Sequence, residues 1–195
     1  MIYLKEYNNY DNKVEKICKR YGIENWSIRD GLVDVDGDVC LCDEELTKLP
    51  LKLGRLSGDF DCGNNKLTSL EGCPTDVGGY FYCNHNKLTT LEGAPKEVGG
   101  DFVCNYNKLI LLEGAPKEVG GDFDCEYNKL TTLEHIPNVI GDIYIDNNPL
   151  PEEILKLTDD QLRKVVYEQD FYEIWRDGKL FEPRWKELKI DLGIK

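Results

Sequence analysis

At 195 residues, 41% of them hydrophobic, the chain is long enough to bury a sizeable core. Its formal net charge of −13 argues against direct binding to the phosphates of nucleic acids. No apolar run reaches the roughly 20 residues of a membrane-spanning helix, and the opening Met1-Ile-Tyr-Leu-Lys-Glu-Tyr turns polar too soon for a signal core, which predicts a cytoplasmic protein.

Residues 1–37 read as an N-terminal cap of helix and hairpin. Asp11 is placed to start a helix in which Val14, Ile17, Cys18 and Tyr21 recur at helical spacing, and Gly22 stands where such a helix stops. After Trp26 and Ile28, the alternation from Leu32 to Asp38 predicts a hairpin turning near Asp36-Gly37. Asp34, Asp36, Asp38 and Glu45 also occupy the first, third, fifth and twelfth places of a calcium loop. The sixth place requires Gly and is Val39, so no calcium site is read there.

Residues 38–150 repeat every 21 residues. Cys62, Cys83, Cys104 and Cys125 mark one column; Asn65, Asn86, Asn107 and Asn128 mark another; and Gly79–Gly99 matches Gly100–Gly120 at 16 of 21 positions. A unit this short cannot bury its own apolar face, so neighbours must stack into a solenoid. In each unit a short strand points alternate residues inward, as with Phe102 and Cys104, followed by Leu109 and Leu112. Val39, Leu41, Leu46 and Leu49 fill the same columns in a degenerate first unit, where Glu44 replaces the Asn. The Asn amides are expected to donate to carbonyls of their own and the adjacent turn. The Gly99-Gly100 and Gly120-Gly121 pairs suggest unusual dihedrals or close approach between coils, and Pro74, Pro95, Pro116 and Pro137 suggest an extended return segment.

Residues 151–195 read as a helical C-terminal cap. Pro151 opens a short helix, Thr158 to Gln161 has the capping-box pattern of a second, and a third segment carries Leu180, Phe181, Trp185, Leu188, Ile190 and Leu192. The aromatic group Phe171, Tyr172 and Trp175 reads either as packing against the last coil or as a partner-binding patch.

The repeat resembles the leucine-rich repeat, LxxLxLxxNxL, with Phe and Cys standing for Leu. The segment Leu91-Glu-Gly-Ala-Pro95-Lys-Glu-Val98 is similar to that of the short repeat class in bacterial secreted effectors. Cys-x-x-Asn-x-Leu combined with Val-Gly-Gly-Asp-Phe resembles leucine-rich-repeat proteins of large tailed phages. The resemblance implies an α/β repeat fold: one curved parallel sheet, a mostly irregular or extended convex side, and helical caps at both ends. It also implies protein binding, in concrete form a phage-encoded protein that masks or sequesters a host defence or nucleic-acid-processing protein.

Outward strand positions then form columns across the sheet. One holds Asp38, Asp59, Tyr80, Asp101, Asp122 and Asp142; the next Cys40, Asp61, Tyr82, Val103, Asp124 and Tyr144; the third Cys42, Gly63, Asn84, Asn105, Glu126 and Asp146. Past the strands come Asn64, His85, Tyr106, Tyr127 and Asn147. Stacked carboxylates about 5 Å apart repel by on the order of 1 kcal/mol in water, an arrangement expected to serve a basic protein partner and not the fold. Tyrosines among them offer rigid contact area. The candidate partner-binding residues are Asp59, Asp61, Tyr80, Tyr82, His85, Asp101, Tyr106, Asp122, Asp124, Glu126, Tyr127, Asp142 and Tyr144. A nucleic-acid mimic and a structural or assembly protein are the other readings.

No enzyme, metal or cofactor is read. His85 and His135, the two histidines, lie in non-equivalent places more than two repeats apart with no recognisable nucleophile partner. The column of Cys62 to Cys125 is expected to serve as small apolar core. Cys40 and Cys42 point outward instead, without the CxxC spacing or convergent His that would mark a redox or metal motif.

Overall fold

The computed structural model describes residues 2–194, with side chains from Tyr10 onward. Its coils form a β-solenoid with two parallel sheets, which corrects the leucine-rich-repeat expectation of a single curved sheet. The first sheet has seven strands: Trp26–Arg29, Leu32–Val35, Leu53–Leu56, Asp76–Val77, Glu97–Val98, Glu118–Val119 and Asn138–Val139. The second has six: Val39–Cys40, Phe60–Asp61, Phe81–Tyr82, Phe102–Val103, Phe123–Asp124 and Ile143–Tyr144. Apart from the antiparallel Trp26–Arg29, every neighbour in both sheets is parallel.

The physical reason lies in the segment taken for an irregular return. Lys96 N donates to Thr75 O and Gly99 N to Val77 O, both at 2.9 Å, so this stretch builds a hydrogen-bonded ladder of its own. Val77, Val98 and Val119 face the core at 0–3% exposure, opposite Phe81, Phe102 and Phe123 of the second sheet. The Asn and Leu columns that carried the resemblance are suited to any closely stacked coil and do not distinguish one architecture from the other. With the resemblance goes the phage or effector origin drawn from it.

The core is a set of columns. Phe60, Phe81, Phe102 and Phe123 stack at centroid distances of 5.4, 4.9 and 5.6 Å. Beside them Cys62, Cys83, Cys104 and Cys125 are fully buried, as are Leu67, Leu88, Leu109 and Leu130. Burial raises the thiols of Cys83, Cys104 and Cys125 well above the ordinary range, so they act as apolar groups. Cys73, which the periodicity did not single out, is buried near Cys62 and raised by the same desolvation.

The Asn ladder is as expected. Asn107 Nδ2 donates to Cys83 O at 3.0 Å and Cys104 O at 3.1 Å, while its Oδ1 accepts from Leu88 N at 3.0 Å. Asn65, Asn86, Asn128 and Asn148 make the same bonds in their coils. The glycine pairs serve close approach, since neither member has positive φ. A Cβ on Gly99 would lie 2.2 Å from Gly78 O. Phe123 pairs with Ile143, so the last coil is one residue shorter than the 21-residue period.

Helix α1 (Ile2–Tyr21) caps the first coil through Val14 and Cys18, and Gly22 ends it at φ 65°. Asp11 lies within this helix and does not start it. The hairpin turns at Asp30-Gly31 (φ 54° and 79°), both left-handed, not at Asp36-Gly37, where the chain passes from the first sheet to the second. At the other end α2 (Glu152–Leu155), α3 (Asp159–Tyr172) and α4 (Glu182–Leu192) bury Ile154, Leu162, Val165, Trp185 and Leu188. Thr158 and Gln161 close the expected capping box. Gln169 joins this cap to the last coil, donating to Leu133 O at 3.2 Å and accepting from Trp175 Nε1 at 2.7 Å. Among the described residues no helix is long and apolar enough to cross a membrane.

Candidate functional site

Parallel register places the outward columns side by side on the second sheet: Cys40 opposite Asp61, Asp61 opposite Tyr82, Tyr82 opposite Val103, Val103 opposite Asp124, and Asp124 opposite Tyr144. All thirteen candidate residues therefore fall on one face or its margin. Their roles differ by column.

The first column has a role in the fold that charge repulsion alone did not suggest. Asp38 Oδ1 accepts from Asp59 N, Asp59 from Tyr80 N, Asp101 from Asp122 N, and Asp122 from Asp142 N, each at 2.8 Å. Each carboxylate thus satisfies a backbone donor of the next coil at the corner between the sheets. The preceding glycine makes room: a Cβ on Gly79 would lie 2.0 Å from Asp59 Oδ1, and one on Gly121 2.1 Å from Asp101 Oδ1. The premise that the fold gains nothing from stacked Asp is wrong for this column. Tyr80 interrupts it, packing its ring 6.0 Å from Tyr82.

The next two columns carry charge that the fold leaves unneutralised. Asp124 Oδ1 accepts from Glu126 N at 3.0 Å, and Oδ2 takes the amide of Asn105. Burial nevertheless holds the Asp124 carboxyl above its usual range. Glu126 is raised by burial and then by Asp124 and Asp146. Tyr144 is raised chiefly by the charge of Asp122, and Tyr82 by burial and then Asp101. Among the described residues the one ion pair to a carboxylate of this face is Arg163 with Asp142, at 3.1 Å.

At the margin stand His85, Tyr106 and Tyr127, stacked nearly parallel with centroids 4.4 and 4.2 Å apart. All three have left-handed backbone, at φ 50°, 52° and 51°. Asn64 and Asn147 occupy the same turn at φ 52° and 59°. Asn tolerates that conformation at little cost, whereas a bulky side chain there is strained by roughly 1–2 kcal/mol. The stacked rings cover one another's faces and present edges and hydroxyls to solvent.

Three other features lay outside the predicted set. A groove of 1350 Å³ runs along the outer side of the first sheet from Ser27 past Gly78, Gly99 and Gly120 to Tyr167. Its glycine floor is already required by coil stacking. On the C-terminal cap, Tyr167 (80% exposed), Phe171 (81%) and Ile190 (78%) stay exposed, while Trp175 is buried. Finally, donor atoms of Cys40, Cys42 and Asp61 lie within 4.8 Å of one another, a set of ligand types able to hold a thiophilic cation. The outward column already sets Asp61 beside Cys40; the closeness of Cys42 to both comes from the structure. His135 takes the left-handed turn position filled by Gly72, Gly93 and Gly114 in earlier coils.

No protein-family model matches the chain, and neither the curated proteins nor the solved structures contain a significant match.

Proposed function

We propose that this β-solenoid is a non-enzymatic binding module whose second-sheet face takes a protein partner with a basic surface. The observation that carries the reading is the aromatic ladder. Tyr106 and Tyr127 occupy left-handed positions where Asn64 and Asn147 show the low-strain solution, and His85 stacks on Tyr106 from the same turn. Backbone strain retained at exposed side chains is a recurrent mark of functional sites. Beside the ladder, Asp124, Glu126 and Asp146 supply negative charge with no basic side chain among the described residues paired to it, which favours an incoming Lys or Arg. Six free, buried cysteines accord with a cytoplasmic setting.

The test is affinity capture from lysate of the producing cell with three baits: the intact chain, Tyr106→Asn/Tyr127→Asn, and Tyr167→Ser/Phe171→Ser on the C-terminal cap. A protein retained by the first and third baits and lost by the second is the expected result. Retention by the second and loss by the third would move the site to the C-terminal cap.

A further inference from the structure

Six of the eight cysteines are buried and free; Cys40 is exposed and Cys42 half-buried. These two are paired across Leu41 with Cα atoms 5.5 Å apart, inside the range that a disulfide bridges. The backbone that carries them is fixed independently of the sulfurs. Leu41 is fully buried, its N–H donates to Asp61 O at 2.7 Å, and its carbonyl accepts from Asn65 Nδ2 at 2.8 Å. Asp43 N continues the ladder to Gly63 O at 3.2 Å. Both sulfurs are therefore held on the outer side of one coil whether or not they are bonded. The column neighbour of Cys42 is Gly63, which adds no side chain above it.

We propose that Cys40 and Cys42 form a site of reversible thiol–disulfide exchange that takes low-molecular-weight disulfides, cationic ones preferentially. Cys40, the more exposed, attacks as thiolate, forms a mixed disulfide and releases the first external thiol. Cys42 then loses its proton and attacks the Cys40 sulfur; the internal S–S bond forms and the second external thiol leaves. Two electrons pass from the dithiol to the external disulfide, and the two protons end on the released thiols. The Asp61 carboxylate, close to both sulfurs, and Asp43 make the surroundings negative, which attracts a cationic disulfide and repels an anionic one.

The full chain, reduced with a phosphine and freed of it, is treated natively with cystamine or oxidised glutathione and followed by intact mass. The expected product has lost two hydrogens and carries no adduct, and the phosphine restores it. Cys42→Ser should stop at one mixed disulfide. Cystamine should react about tenfold faster than oxidised glutathione at low salt, the difference shrinking as salt rises. A stable double adduct, or no reaction at either thiol, would overturn the proposal. So would zinc that stays bound stoichiometrically to the reduced protein, blocks oxidation and is weakened by Asp61→Asn, since the three residues would then constitute a metal site.

Discussion

Two side chains show how single residues carry this fold. Asn107 closes bonds to two successive coils from a buried position, and its truncation leaves several backbone groups unpaired at once. Asn107→Ala should lose about 3 kcal/mol in chemical denaturation, several times the effect of removing an exposed polar group. Asp124 acts in the opposite sense. Its folded-state pKa is raised by burial, so its contribution is most favourable below the ordinary carboxylate range and is lost as pH rises through the raised value. Asp124→Asn removes that penalty, keeps an acceptor for Glu126 N, and retains one bond to Asn105 once the Asn105 amide turns over. The variant should melt above the parent at neutral pH, and its advantage should shrink as the pH falls toward 4, an expectation drawn from the ordinary Asp value. An advantage independent of pH would contradict the account.

At the scale of elements, the 21-residue period made the solenoid, its inward columns and the Asn ladder legible. What it could not separate was one sheet from two. The second ladder rests on two-residue strands such as Glu97–Val98, too short to show alternation, and Pro95 drew the reading toward an extended return. Asp30-Gly31 and Asp36-Gly37 are the same dipeptide, and only the pairing of Trp26 with Val35 places the hairpin turn at the first. The candidate face was legible as a set of columns. The backbone role of Asp59, Asp101 and Asp122 was not, because it depends on the glycine of the following coil giving up its Cβ. That dependence is testable at the corner itself. Gly121→Ala places a methyl 2.1 Å from Asp101 Oδ1, which must then leave Asp122 N, and should cost about 2–3 kcal/mol by thermal or chemical unfolding.

For the whole molecule, stability should follow the number of coils, since each central coil meets only its neighbours. Deleting residues 100–120 joins Gly99 to Gly121 and recreates the Val-Gly-Gly-Asp junction. The shortened chain should still unfold cooperatively, with lower stability, as circular dichroism would report. Deleting residues 100–121 also removes one glycine of that corner and should lower stability further without abolishing the fold, since Phe123 and Ile143 stay in register across a coil of 20 residues. The helical caps cover both ends of the stack, and the second-sheet face carries left-handed Tyr106 and Tyr127 beside carboxylates such as Glu126 that have no basic partner among the described residues. The most direct measurement is the dissociation constant of the captured partner for Tyr106→Asn/Tyr127→Asn, beside that variant's melting temperature. The account predicts at least about tenfold weaker binding with a melting temperature no lower than the parent's, since Asn64 and Asn147 already suit the left-handed turn. Unchanged affinity in a fully folded variant would contradict it.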